Sequence, residues 1–160
     1  LDAVVKIKNQ IPNPRVIIVG EGPLKSELNS KIKNLNLQDN VVMHGHAKDS
    51  SEISLLINES KILVMPSYNE GGPRVVVEAM ACGVPVLATP VGIVPDLLKN
   101  GLGGEIIAWE PEDIALKALE LLDDPEKYLK HSQAGIEKAR QFERKESIKN
   151  YAEKLSDIIQ

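Results

Sequence analysis

Two carboxylates lie close together in the stretch YNEGGPRVVVEAMACGVP, which runs from Tyr68 to Pro85. Glu70 precedes a pair of glycines, whose backbone can approach a ligand closely. Glu78 lies among valines and alanines on a segment that ends at Gly83, a residue typical of helix ends. An ionised carboxylate on so apolar a segment needs a partner, because burying an unpaired charge is costly. The stretch therefore predicts either a ligand site or an internal ion pair.

Both explanations of Glu78 are open on the residues alone. Arg74 lies four residues earlier, and side chains at that spacing can pair on one face of a helix. Alternatively, Glu78 accepts hydrogen bonds from ligand hydroxyl groups and Glu70 reaches the same ligand. Gly71, Gly72 and the first N–H groups of the following helix would then hold a phosphate at the positive end of that helix.

Two other loops carry weaker candidates. Gly22 lies in GEGP, residues 20–23, where glycines before a helix can expose N–H groups to an anion, although a tight turn explains the same residues. His44 and His46 lie in HGHAKD, but a metal would need a third ligand that the sequence does not supply. We therefore predict no metal site and expect a strand end whose backbone lines a nucleobase pocket.

The elements that must position these loops alternate between β-rich runs and segments of helical period. This pattern is typical of an α/β fold in which a parallel sheet carries helices on both faces. The predicted strands are residues 15–20, 40–45, 61–66, 85–90 and 104–109. The predicted helices between them are residues 23–34, 50–59, 73–82 and 93–99. The candidate loops then follow the strands, where open α/β sheets bind ligands.

Both ends of the chain are predicted to be helical. The chain opens within a helix rather than a strand, so we expect a piece of a longer protein that lacks its first strand. Trp109 is expected as a strand-end aromatic and His131 as a surface residue of the helices that follow it. The first of these helices is expected to bury one face, and the last carries an apolar stripe. The residues concerned are Ile114, Ala118, Leu119 and Leu122, and then Ile148, Tyr151, Leu155 and Ile158.

The composition is that of one globular domain over residues 1–160, with 42% hydrophobic and 26% charged residues. A net charge of -4 argues against a nucleic acid polymer as partner, since binding to phosphate backbones needs clustered Lys and Arg. Cys82 is the single cysteine, so an internal disulfide is excluded and a reducing, cytoplasmic setting fits. No apolar run approaches the roughly 20 residues of a membrane span.

Residues 66–92, PSYNEGGPRVVVEAMACGVPVLATPVG, resemble the E-x7-E region of retaining glycosyltransferases with the GT-B fold, especially the group 4 family. Three further segments resemble other strands and helices of that family in the same order. They are VIIVGEGPLKSEL, NVVMHGHAKDSSEISLLINESKILVMPS and NGLGGEIIAWEPEDIALKALELLDDPE. The resemblance implies the C-terminal, Rossmann-like half of a GT-B enzyme, which binds a nucleoside diphosphate sugar.

The resemblance also implies roles for individual residues. Glu70 would contact the donor sugar near the reacting centre, Glu78 would hold the ribose, and His46 would lie near the base. The remaining donor contacts implied are Gly22, Gly71, Gly72, Pro73, Arg74 and Val75. The reaction would retain the anomeric configuration without an obligatory metal or cofactor. The family's basic diphosphate ligands would lie upstream of Leu1.

The acceptor site would belong to a missing N-terminal domain, so the chain alone is predicted to be inactive. That half could also associate with the inner face of a membrane, in polysaccharide, glycolipid or cell-envelope glycan synthesis. Alternatives are a related hydrolase or epimerase of nucleotide sugars and a non-catalytic nucleotide-binding module. A nicotinamide-dependent oxidoreductase needs a third glycine where this chain has Lys25, and an acidic residue where it has His44 and Gly45.

Overall fold

The computed structural model describes residues 1–143, which form a mixed α/β arrangement of parallel strands and helices. The strands are β1 (Val16–Val19), β2 (Val41–Gly45), β3 (Leu63–Met65), β4 (Val86–Ala88) and β5 (Gly104–Ile106). The helices are α1 (Asp2–Lys8), α2 (Lys25–Asn34), α3 (Ser50–Asn58), α4 (Arg74–Ala81), α5 (Val94–Leu97), α6 (Pro111–Asp123) and α7 (Pro125–Arg140). Each strand and helix predicted between residues 15 and 109 is confirmed, and each is at least one residue shorter than predicted.

The strands form two parallel sheets rather than one. β1 pairs with β2, and β4 lies between β3 and β5. In a doubly wound sheet of spatial order 3-2-1-4-5-6, strand 1 lies between strands 2 and 4. Here β1 and β2 correspond to strands 2 and 3, and β3, β4 and β5 correspond to strands 4, 5 and 6. The gap between the two sheets therefore falls where the predicted missing first strand would lie.

Helices cover both faces of the larger sheet. Val86 and Ala88 of β4 pack with α4 and α5 in one core cluster, whereas Leu87 packs on the opposite face with Ile107 and residues of α6. All three residues of β4 are fully buried. A strand covered on both faces is typical of parallel sheets. The smaller sheet has its own cluster, in which α1 and α2 cover β1 and β2.

Helix α4 is amphipathic, although its sequence between Arg74 and Ala81 is mostly apolar. Val76, Ala79 and Met80 are buried, while Arg74 and Ala81 are exposed. The helix ends as predicted at Gly83, which has a positive φ of 70° and donates from its N–H to the carbonyl of Met80. The buried face of α4 packs on β4 and α7, and its other face remains accessible to a ligand.

The helices after β5 differ from prediction in two details. α6 buries Ala115, Ala118 and Leu121, while Leu122 is 40% exposed, so the predicted buried face is rotated from the true one. His131 is buried rather than on the surface, and its Nδ1 lies 3.0 Å from the carbonyl oxygen of Gly101. Its other ring nitrogen is 3.5 Å from Glu105 Oε1. The stripe from Ile148 to Ile158 lies outside the described residues.

Within residues 1–143, no helix is long and apolar enough to cross a membrane. Cys82 is half-buried and carries a free thiol.

Asp113, at the start of α6, accepts hydrogen bonds that connect this helix to the residues after β5. Its Oδ2 accepts from the N–H of Ala108 at 2.7 Å and from Lys117 Nζ at 2.8 Å. The Lys117 hydrogen bond lowers the pKa of Asp113 by more than burial raises it, and the Ala108 N–H adds to the lowering. The pKa of Asp113 is lower in the folded chain than in the unfolded chain. The carboxylate therefore stabilises the folded chain fully at pH values above the usual aspartate pKa of about 3.9. This stabilisation is lost as the pH falls through the lowered folded-state value.

We expect Asp113→Asn to lower the melting temperature at neutral pH by about 2 to 4 °C, because about 1 kcal/mol of charge-assisted hydrogen bonding is lost. The difference from wild type should shrink below about pH 4, as Asp113 becomes protonated in the wild type. Thermal unfolding followed by circular dichroism across pH measures both effects. Asp39→Asn changes an exposed aspartate and is the matched control. Equal melting temperatures for Asp113→Asn and wild type at neutral pH would contradict the assignment.

Candidate functional site

The carboxyl ends of the parallel strands are joined by hydrogen bonds within each sheet. At the smaller sheet, the N–H of Gly20 donates to the carbonyl of Gly45 at 2.6 Å. At the larger sheet, the Ser67 carbonyl accepts from Thr89 Oγ1 at 2.5 Å and from Trp109 Nε1 at 3.1 Å. These bonds hold the loops after the strands in place at the edge where α/β sheets bind ligands.

Glu70 projects from the loop between β3 and α4. Its side chain is exposed, and its Oε1 accepts from the Ser67 hydroxyl at 3.1 Å. Gly71 and Gly72 follow it and are also exposed. One neutral hydrogen bond leaves most of the acceptor capacity of a carboxylate unused. Glu70 can therefore accept from hydroxyl groups of a ligand.

Gly92, in the loop after β4, presses against the backbone of the Glu70 loop. A Cβ atom at Gly92 would lie 2.2 Å from the Gly71 carbonyl oxygen and 2.4 Å from that of Glu70. Its φ of 54° also falls in the left-handed region that favours glycine. Only a residue without a side chain allows this approach, so Gly92 helps to fix the Glu70 loop.

The amino terminus of α4 has no side-chain cap. Pro73, which was expected at the first helical position, is the N-cap in extended conformation and has no side-chain acceptor, while its carbonyl accepts from the N–H of Val76 at 3.2 Å. The first turn of α4 also contains no acidic residue. By contrast, Asp49 caps α3 by accepting from the N–H groups of Ser51 and Glu52. Among residues 1–143, no side chain accepts from the first-turn N–H groups of α4, and the helix dipole favours an anion there.

The ion pair between Arg74 and Glu78 is formed but weak. Arg74 Nη2 lies 3.9 Å from Glu78 Oε1, which is too long for a hydrogen bond. The Arg74 side chain is 87% exposed and that of Glu78 32%, so solvent screens the pair. Both side chains lie away from the buried face of α4, whereas neighbouring Val75 is half-buried and packs against the core cluster. The ion pair therefore leaves Glu78 able to accept from a ligand.

Gly22 and His46 lie at the ends of β1 and β2, in the smaller sheet. Both are exposed, and no heavy atom lies within 4 Å of a Cβ built on Gly22. The carbonyl of Gly22 accepts from the N–H of Lys25 at 3.1 Å, so the segment does form a turn. His44 is half-buried, with Nε2 3.7 Å from Glu52 Oε1. Among residues 1–143, no three His, Cys, Asp or Glu side chains are grouped to hold a metal.

The structure thus places the predicted residues in two groups. Gly22 and His46 share the paired ends of β1 and β2. The other group belongs to one loop and helix α4, where Pro73 is buried and Val75 packs against the core; it comprises Glu70, Gly71, Gly72, Pro73, Arg74, Val75 and Glu78. A groove of about 640 Å³ between α1 and α6, lined by residues such as Lys6 and Leu119, contains none of them.

Sequence reasoning missed the residues that support Glu70. They are Ser67, Thr89, Gly92 and the donor role of Trp109. Each follows one of the strands β3, β4 or β5 directly or by a few residues. Their position after strands that must end at one edge was a usable signal, because polar groups brought to that edge can contact one another or a ligand.

The sequence of this chain matches a known protein family. The family model described as glycosyl transferases group 1 matches residues 1–141. N-acetyl-alpha-D-glucosaminyl L-malate synthase of Bacillus anthracis is 27% identical over 161 residues, covering 99% of this chain and 41% of that protein. The chain therefore spans less than half the length of this curated relative.

Solved structures match the fold closely. HepE of Anabaena in complex with UDP-glucose gives a TM-score of 0.82 at 26% identity, covering 97% of this chain and 44% of that one. The C-terminal domain of LpcC, a glycosyl transferase group 1 family protein of Francisella tularensis, gives 0.78 at 27% identity. That match covers 88% of this chain and 75% of the other. These matches confirm the predicted fold class, the C-terminal half of a GT-B fold.

We expect Gly92→Ala to disrupt the Glu70 loop, because the added methyl group would overlap two carbonyl oxygens at positive φ. The loss of stability should be about 2 kcal/mol, or about 4 to 8 °C in melting temperature. NMR amide shifts of Glu70 and Gly71 should move as well. Gly22→Ala adds a methyl group in open space and should change the melting temperature little. Unmoved amide shifts at Glu70 and Gly71 would show that the contact is unimportant.

Proposed function

The chain belongs to the glycosyl transferases group 1 family, and on this premise we propose that it is the donor-binding domain of a retaining GT-B glycosyltransferase of the group 4 type. In the proposed reaction, the bond from the anomeric carbon to a nucleoside diphosphate breaks. A bond to an acceptor hydroxyl oxygen forms on the same face of the sugar, without an obligatory metal. The observation that carries this proposal is an uncapped helix terminus flanked by two accessible carboxylates.

The carboxylates would recognise hydroxyl groups of the donor. Glu70, held by Ser67 in an exposed loop, would accept from the sugar beside the reacting centre. Glu78, on the accessible face of α4, would accept from the two ribose hydroxyls. A carboxylate suits a pair of neighbouring hydroxyls, because its two oxygens accept hydrogen bonds side by side.

The diphosphate would lie at the amino terminus of α4. The N–H groups of Arg74 and Val75 belong to its first turn, and the exposed backbone of Gly71 and Gly72 lies beside it. Negative charge grows on the diphosphate as it leaves, so fixed N–H dipoles stabilise the transition state more than the bound donor. The Arg74 guanidinium is exposed and would add positive charge to the same group.

The base would lie at the end of the smaller sheet, near His46 and the backbone of Gly22. The space at Gly22 allows a ligand to approach the main chain directly. Because the structure of HepE is a complex with UDP-glucose, a uridine nucleotide is the first donor to test on this chain.

The acceptor site would belong to an N-terminal domain, and further basic ligands of the diphosphate would come from the loop after the predicted first strand. The curated relative from Bacillus anthracis is more than twice as long as the match to this chain. The whole enzyme would act in the cytoplasm in polysaccharide, glycolipid or cell-envelope glycan synthesis. Any contact with the inner face of a membrane would be made by the N-terminal domain.

We expect Glu78→Gln to weaken binding of UDP by about tenfold or more, because hydrogen bonds between a charged acceptor and the ribose are lost. Isothermal titration calorimetry of this chain with UDP measures the change. Glu137→Gln on α7 is the matched control, since Glu137 also pairs with an arginine one turn away. If Glu78→Gln binds UDP as wild type does, Glu78 is only a partner of Arg74.

The purified 160-residue chain is expected to transfer no sugar to added acceptors, because the acceptor site would lie in the other domain. Release of UDP and formation of glycoside are both measured with UDP-glucose and a panel of sugar and lipid acceptors. Detection of a glycoside product would refute this expectation while leaving the donor site in place.

A further inference from the structure

We propose that Trp109 is a positioning residue for Glu70 and acts through Ser67. This inference rests on the proposed function, in which Glu70 contacts the donor sugar. It assigns the indole N–H and ring of Trp109 to sugar recognition, separately from recognition of the nucleotide.

The first step is the fixed position of the Ser67 carbonyl. It accepts from Trp109 Nε1 at 3.1 Å and from Thr89 Oγ1 at 2.5 Å. The two donors follow β5 and β4, and Ser67 itself follows β3. Thr89 is fully buried, so this donor is held by packing. Two donors from two neighbouring strands fix the peptide group after Ser67 in place and in orientation.

The second step leads from Ser67 to Glu70. The Ser67 hydroxyl donates to Glu70 Oε1 at 3.1 Å. Because the same residue provides the anchored carbonyl and this hydroxyl, holding its main chain also directs its side chain. The Glu70 carboxylate is thereby held at one oxygen while the other stays open to a ligand.

The third step is the aromatic contact between Tyr68, the residue after Ser67, and Trp109. The Tyr68 ring stacks on Trp109 with centroids 5.9 Å apart and planes 4° from parallel. Tyr68 is 82% exposed and Trp109 39%, so this stack adds little to the core. The stack does hold Tyr68 in place, and Tyr68 lies between Ser67 and Glu70 in the chain. Trp109 thus holds the loop by a hydrogen bond at Ser67 and by stacking at Tyr68.

This arrangement gives Trp109 a use beyond folding. An exposed glutamate on a glycine-rich loop loses conformational freedom when it binds a sugar, and prior ordering reduces that loss. Glu78 and the α4 terminus do not depend on Ser67, since they belong to a helix packed on the core. Removing the Trp109 contacts should therefore weaken binding of the sugar more than binding of the nucleotide, for which the loop supplies only the backbone of Gly71 and Gly72.

The test compares UDP with UDP-glucose on the 160-residue chain by calorimetry. Trp109→Phe removes the N–H donor and keeps a ring for stacking, and Ser67→Ala removes the hydroxyl. Both should lower affinity for UDP-glucose by about threefold to tenfold while UDP binds within about twofold of wild type. Phe142→Leu changes an exposed aromatic at the end of α7 and should alter neither affinity.

A second measurement needs no ligand. NMR relaxation of the Glu70 and Gly71 amides should show larger fast motion in Trp109→Phe than in wild type, and no change in Phe142→Leu. Wild-type protein that binds neither UDP nor UDP-glucose would count against the proposed function, and this relaxation experiment would then decide the present inference. Unchanged relaxation in Trp109→Phe would overturn it. So would an equal loss of affinity for UDP and UDP-glucose, which would indicate a general structural role.

Discussion

The pairing of β4 between β3 and β5 is the interaction on which the rest of the structure depends. Parallel strands must have both faces covered, and β4 is fully buried because α4 and α5 lie on one face and α6 on the other. The same parallel pairing brings the three strand ends to one edge. The loop that carries Glu70 can then be held from β4 and β5 at once, through Thr89 and Trp109.

The carboxylates near that edge have weaker hydrogen-bond partners than carboxylates elsewhere in the structure. Asp49 and Asp124 cap helices, and Asp113 accepts from both a lysine and a main-chain N–H. Within the described part of the chain, residues 1–143, Glu70 has one neutral donor and Glu78 has only a long, solvent-screened contact with Arg74. The α4 terminus likewise lacks the cap that α3 and α7 have. Unused acceptors beside unused donors favour a ligand that carries hydroxyl groups and negative charge.

Local signals in the sequence predicted the elements well, and long-range contacts account for the failures. Gly83 ends α4 through its own conformation, so the sequence alone was enough. Burial of His131 depends on Gly101 and Glu105, far away in the chain, and no local pattern contains that information. The buried face of α6 is set by where β4 and α1 lie, which explains why Leu122 is exposed. The bond from Trp109 to Ser67 joins residues 42 positions apart.

The division into two sheets bears directly on the proposed function. A nucleotide bound as proposed would contact Gly22 and His46 on the smaller sheet and α4 on the larger one. Helix α1 already connects the two, since Val4 packs with β1 and β2 while Ile7 packs with the cluster under α6. A ligand that contacts both sheets binds only the arrangement in which they are correctly placed, and it therefore stabilises that arrangement. Donor affinity would thus depend on α1 as well as on the residues that touch the donor.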